Sequence, residues 1–325
     1  RLSLVGSEMC IRDRAKAEKK AARIAAEGIA KVAIDGNTAV VVEVNSETDF
    51  VAKNAIFQEF VQAVADKALT VDTEKAGDGE DVVSILDMKA DLDDKILKIG
   101  EKISIRRFEK VTADVVASYI HGGGRIGVLV AGNGASDDAA KEALTNIAMQ
   151  IAAMNPQYIS RDEISADELA KMKEITIDSA LNDPFSLPKP VLSKLIEKAV
   201  AGVWSAEDVA IYEEKKSNMN FLPNFLSKEA KAQLAEIACA DKEEISGNKI
   251  FSGLVEGRIS KQMKEICLLD QVYVKAEDGK QTVAAYLKSV NPALKIAKFV
   301  RFEVGEGMEK KNEDFAAEVA KQMNV

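Results

Sequence analysis

A single histidine, His121, stands in this chain, and three glycines follow it, Gly122 to Gly124. A His-Gly-Gly-Gly run can build an oxyanion hole, which esterases pair with a serine on a Gly-x-Ser-x-Gly elbow and a histidine base. No such elbow occurs, and spending the one histidine on the loop leaves no base. The glycines make an equally poor phosphate cradle, because the Gly-Lys-Ser/Thr ending that supplies a lysine and a magnesium ligand is absent. Asp and Glu number 53, but they recur as the solvated faces of helices rather than as an isolated pair. No set of His, Cys and carboxylates has metal-ligand spacing. No catalytic residue, metal or cofactor is therefore expected, and binding becomes the leading class of function.

The candidate binding residue is Phe50, in the run Thr48-Asp49-Phe50-Val51-Ala52-Lys53-Asn54. On a helical projection Phe50 falls close to Phe57 and Val61, and periodicity alone makes it a core residue. Its i+3 and i+4 neighbours, Lys53 and Asn54, are polar, so the apolar stripe is interrupted in the first turn. An aromatic ring at a helix tip beside an acid also suits insertion into a partner's pocket, since aromatic anchors ringed by polar groups are the usual hot-spot pattern. Spacing alone favours the core reading.

The elements that must position these residues can be read along the chain. Ala15 to Gly28 is Ala-rich with interspersed charge and predicts a helix that Gly28 stops. Val32 to Ile34 and Ala39 to Val44 predict two strands around the Asp35-Gly36-Asn37 turn. Ser46 and Asp49 form a capping pair for a helix running to about Leu69, and Thr70 to Asp81 is a loop. A third helix is expected over 82–94, then strands over 103–108, 113–120 and 125–131, with Gly122 to Gly124 as the turn between the last two. Ser136 is expected to cap a helix that Asn155-Pro156 ends. From Ser165 to about Met263 the pattern is nearly all helical, opened by a Ser165/Glu168 capping box and broken by four prolines. A strand over 271–275, a helix over 282–290, a strand over 296–304 and a helix over 314–323 complete the chain.

Hairpin-joined strands before and after a long helical block predict an α+β fold with small antiparallel sheets flanked by helices and a helical insertion as a protruding arm. An imperfect repeat supports two related subdomains. Val42-Glu43-Val44 leads to Asp49-Phe50-Val51-Ala52, and Phe302-Glu303-Val304 leads to Asp314-Phe315-Ala316-Ala317. The domain reading is 15–135 for the N-terminal subdomain of the core, 136–164 with 265–308 for its C-terminal subdomain, 165–264 for the insertion and 309–325 for a C-terminal helix. Residues 1–14 lack the apolar core of a signal peptide and read as a non-native extension.

Composition narrows the partners. At 325 residues the chain has room for about two domains. Its 47% hydrophobic and 30% charged residues suit a folded core and argue against a disordered chain. The net charge of −9 argues against a general polyanion binder, so no direct nucleic-acid partner is expected. No apolar run approaches the ~18 residues of a membrane span, and no membrane partner is expected. Cys10, Cys239 and Cys267 are three, without a close-spaced pair, which suits a reducing cytoplasm rather than a disulfide framework. Cys239 and Cys267 read as small hydrophobes on helical segments.

The run Thr48 to Asn54 resembles the signature of the elongation factor Ts family. Further runs resemble it in the same order: Glu18 to Gly28, Lys98-Ile99-Gly100-Glu101, Ile103-x-Ile105-Arg106-Arg107, His121 with Arg125 to Val130, Ile147 to Ala153, Val255 to Arg258, and Arg301 to Gly307. The resemblance covers the chain from about Ala15 to the end, apart from the central insertion. It implies an α+β core of two subdomains and a guanine-nucleotide exchange factor for the GTPase elongation factor Tu. It also implies that Asp49 and Phe50 contact that GTPase, the ring wedging between helices near the magnesium and phosphate loop. Thr48, Val51, Ile99, Gly100 and His121 match other contact positions, and the C-terminal helix would reach the same domain. The family's N-terminal helical domain should precede Ala15 and is not in this sequence, so a lower affinity is expected. The stretch 181–248 is longer than in compact members. Rival readings are a scaffold or chaperone-like partner of elongation factor Tu without exchange activity, an enzyme of unrecognised class, and a homodimer built through the insertion.

Overall fold

The computed structural model describes residues 23–77 and 81–308. The expected extension over 1–14, most of the helix expected over 15–28, and the C-terminal helix with the Asp314 to Ala317 part of the repeat lie outside them. Ser160–Gln271 forms one compact unit, and the chain on either side of it forms another.

In the flanking unit, strands β1 (Glu27–Asp35), β2 (Thr38–Ser46), β3 (Lys75–Ala76) and β4 (Ile103–Thr112) make an antiparallel sheet of order β1-β2-β4-β3. Strands β5 (Val115–His121), β6 (Ile126–Asn133) and β7 (Lys295–Glu303) make a second antiparallel sheet of order β5-β6-β7. The break between sheets falls between Thr112 and Val115, inside the stretch 15–135. The fold is α+β, as expected.

β2 explains the layering. Its run Ala39 to Val44 is apolar at nearly every position, the pattern of a strand covered on both faces. Val40, Val42 and Val44 join Phe57, Phe60, Val61 and Val64 in one core cluster. Ala39 and Val41 join Leu129, Ala131, Val300 and Phe302 in another. Helices therefore cover one face of the first sheet, and the second sheet covers its other face. The long helix α5 (Asp138–Met154) packs on β5 and β6.

Glu43 interrupts the apolar run and is fully buried. The β2–β4 register shifts at Glu43/Val44, so that Arg106 is the extra residue of a bulge. A bulge turns two consecutive side chains toward one partner residue. Arg106 and Arg107 both donate to the Glu43 carboxylate, at 3.0 and 2.6 Å. The same carboxylate accepts the Gly305 N–H at 2.9 Å and the Asn45 amide at 3.0 Å. Arg107 also lies 4.2 Å over the Phe302 ring. One buried acid thus ties β2, β4 and the end of β7 together.

Several local expectations shift. The helix expected from Ser46 to Leu69 is two, α1 (Asp49–Ala52) and α2 (Ala55–Thr70), and Ser46 donates to the Thr48 carbonyl instead of capping. The helix expected over 82–94 is also two, α3 (Val82–Ile85) and α4 (Lys89–Ile99), separated at Asp87, whose φ is +52°. Gly28 does not stop a helix; it lies in β1 at φ +136°, where a Cβ would meet the Val44 oxygen at 2.1 Å. Asp137 rather than Ser136 caps α5, accepting the Ala140 N–H at 2.7 Å. The strand expected over 271–275 reduces to one bridge between Val272 and Thr282, and Thr282 caps α12 (Val283–Val290).

The helical unit contains α6 (Ala166–Asn182), α7 (Lys189–Val200), α8 (Ala206–Lys215), α9 (Lys228–Ala240), α10 (Lys242–Ser246) and α11 (Lys249–Ile266). The Ser165/Glu168 capping box is formed. Leu181, Ile196, Leu222, Leu234 and Phe251 fill its interior with Trp204, whose indole donates to the Ala230 carbonyl at 2.9 Å. Cys267 is buried, whereas Cys239, on α9, is exposed.

Asp208 joins two helix starts in this unit. Its carboxylate accepts the Ser227 N–H at 2.9 Å, the Ser227 hydroxyl at 3.0 Å and the Ser205 hydroxyl at 2.7 Å. The Ser227 backbone bond, above all, holds its pKa below the ordinary 3.8. With the folded value below the unfolded one, the stabilisation is complete above about pH 4 and disappears as pH falls through the folded value. Asp208→Ala is expected to cost the helical unit about 1–3 kcal/mol at pH 7, the cost of unsatisfied partners at a charged acceptor. Melting followed by Trp204, the one tryptophan, should show this deficit at neutral pH shrinking toward pH 2. A deficit that stays constant from pH 7 to 2 would assign the effect to packing instead.

Candidate partner-binding site

Phe50 is 77% exposed, the most exposed large hydrophobic among the described residues. The reason lies in the break after α1. The Asn54 side chain accepts the Ile56 N–H at 2.8 Å and starts α2 afresh, so the phase linking Phe50 to Phe57 and Val61 is lost. Phe57 and Val61 are fully buried while Phe50 faces water. The polar pair Lys53-Asn54 was the visible signal of this break.

α1 is a single turn, and an isolated turn is unstable because its one or two hydrogen bonds do not offset the ordering of its backbone. Three attachments hold it. Val51 is buried in the core beneath it. The Gln58 amide donates to the Ala52 carbonyl at 3.2 Å. At its start, the Thr48 N–H and hydroxyl donate to the two oxygens of Glu101 at 3.0 and 2.8 Å. Asp49 is exposed and pairs with Lys53 at 3.1 Å; such surface pairs contribute little, about 0–1 kcal/mol.

Ile99 and Gly100 end α4, and Gly100 takes φ +88°, a left-handed cap conformation that glycine adopts without a Cβ clash. Ile99 is half-buried against the same core cluster as Val51. Their loop leads directly to Glu101, so Thr48 and the Ile99-Gly100 pair are brought together.

His121 ends β5 and is exposed, with its Nδ1 3.2 Å from the Tyr119 hydroxyl. Gly122, Gly123 and Gly124 all take positive φ and form the β5–β6 turn, as the sequence predicts. The Ala30 N–H donates to the Gly124 carbonyl at 2.7 Å, docking this turn on β1. A groove of about 430 Å³, lined by Ile29, Lys31, Gln58, Ser118, Ile120 and Gly123, runs between α2 and the turn. The expected contact residues thus fall into two groups, around α1 with the α4 end, and at the glycine turn. Val51 differs from the rest in facing inward.

Sequence reading passed over two residues. Glu101 stood inside a quoted motif, but nothing local pairs it with Thr48. Glu43 stands in the run Val42-Glu43-Val44, and an acid among apolar residues is the one local sign of its burial. Among the described residues no group of three or more His, Cys, Asp or Glu could hold a metal, and no helix is long and apolar enough to cross a membrane.

A family profile described as elongation factor TS matches residues 47–306. Curated relatives named elongation factor Ts include one from Clostridioides difficile (strain 630), 39% identical over 316 residues, covering 95% of this chain and 84% of that one. Another, from Limosilactobacillus reuteri (strain DSM 20016), is 36% identical over 317 residues with the same coverage. These matches place the α+β chain among the factors of translation elongation. It belongs to the elongation factor Ts family.

Proposed function

We propose that this protein promotes GDP release from the GTPase elongation factor Tu, with Phe50 entering the partner near its magnesium and phosphate site. The observation that supports this most is the ring itself, 77% exposed on a turn whose base is tied down. Asp49, Thr48, Ile99, Gly100 and His121 are its companions at the interface, and Val51 anchors the turn from within.

Such a factor breaks no bond. It binds the GTPase better without GDP than with it, and linkage then requires that it weaken GDP by the same factor. Magnesium keeps several waters and few protein ligands besides phosphate oxygens, in a strict octahedron that a small backbone shift disrupts. The ring leaves water only once the partner's helices have moved apart, so its burial favours the open, nucleotide-poor state.

The test is stopped-flow release of a fluorescent GDP from elongation factor Tu with increasing amounts of this protein. Release should accelerate and saturate. Tight binding with unaccelerated release would replace exchange by a scaffold role.

A further inference from the structure

Glu101 carries a role that the motif around it does not disclose. Thr48 is the N-cap residue of α1, yet its side chain makes no cap bond to the helix. Its hydroxyl and N–H both go to Glu101. The tie is returned one residue away, where the Lys102 N–H donates to the Glu47 carboxylate at 2.6 Å. Residues 47–48 and 101–102 therefore clamp each other, each pair supplying one acid and one backbone donor.

Geometry shows why the clamp matters. Val51 is the one buried residue of α1. A turn held only there can pivot about that side chain. The Gln58 amide adds one bond at the far end of the turn, and the paired Thr48 bonds fix its start, with direction as well as distance, because two donors meet two oxygens of one carboxylate. Gly100, at φ +88°, reverses the chain between Ile99 and Glu101. The runs Lys98 to Glu101 and Thr48 to Asn54, some fifty residues apart in sequence, thus form one device.

We propose that Glu101 is the positioning residue for Phe50, holding the α1 turn in the orientation that projects the ring. This rests on the reading of Phe50 as the inserted group.

Hydrogen exchange and nucleotide release on the full chain test it together. In Glu101→Ala the Lys53 and Asn54 amides, which donate within the turn to the Phe50 and Val51 carbonyls, should exchange at least about tenfold faster with little change outside residues 47–54, since local opening sets their protection. Accelerated GDP release should fall by about tenfold, and Glu101→Gln, which keeps one acceptor oxygen, should recover part of it. Combined with Phe50→Ala, Glu101→Ala should add little further loss, because residues acting through one another are non-additive. Unchanged exchange at Lys53 and Asn54, or a full tenfold loss added on top of Phe50→Ala, overturns the proposal. Thr48→Val, which removes only the hydroxyl bond, carries the same comparison should Glu101→Ala fail to fold. If Phe50→Ala alone leaves release untouched, the functional reading falls, while the exchange at Lys53 and Asn54 still decides the clamp.

Discussion

Replacing Phe50 by alanine is expected to slow stimulated GDP release by about 30- to 1,000-fold, the equivalent of about 2–4 kcal/mol for a central aromatic anchor. The folded protein should hardly notice. A side chain 77% exposed has little burial to lose, and surface substitutions usually change stability by less than about 0.5 kcal/mol. This separation of function from stability distinguishes the anchor reading from the core reading that spacing alone favours. Phe57 provides the contrast, since it is fully buried and its truncation should cost about 3–5 kcal/mol. Phe50→Leu should retain part of the acceleration, because much of the anchor's contribution is apolar area rather than ring geometry. Fluorescent-GDP kinetics beside thermal melts make the comparison. Full acceleration by Phe50→Ala would remove this ring from the mechanism.

The second large effect concerns the fold. Glu43→Ala is expected to destabilise the protein by about 3–5 kcal/mol, because removing one partner of a buried ion pair leaves uncompensated charge. Here two guanidinium groups, with side chains only 21% and 17% exposed, would lose their buried counter-charge, and Arg107 would keep only the more exposed Glu306 carboxylate at 3.3 Å. The Gly305 N–H and the Asn45 amide would lose their acceptor as well. Glu43→Gln keeps the shape and one acceptor oxygen but not the charge, and should fall between the two. Urea unfolding of the three chains tests this, with a lower midpoint and unchanged slope expected. A loss below about 1 kcal/mol would mean that the Glu306 carboxylate and the carbonyls of Glu303 and Glu306, which the arginines also meet, suffice to hold them. The Glu43 tie reaches β7 through Gly305, so the second sheet should loosen with the first. Hydrogen exchange in β7 reports that directly.

Much of the architecture could be read along the chain. Turn residues marked the hairpins, Ala39 to Val44 announced a strand, and Ser165 with Glu168 announced a helix start that is formed. These signals are local: each depends on residues a few positions apart, and the backbone obeys them wherever tertiary contacts agree. The motif runs placed the chain in its family for a related reason, since order and spacing survive in the sequence itself.

What the chain alone left undecided was the environment of particular side chains. Periodicity placed Phe50 with Phe57 because it assumed one continuous helix. Only the fold shows that Asn54 restarts the helix and turns the ring outward. Nothing near Glu43 indicates that a bulge brings Arg106 and Arg107 to it from another strand, and nothing near Thr48 points to Glu101. Burial and pairing over fifty residues or more depend on how sheets and loops meet in space, which no short window of sequence records. Local pattern therefore determined the elements, and three-dimensional packing decided which side chains they conceal and which they present.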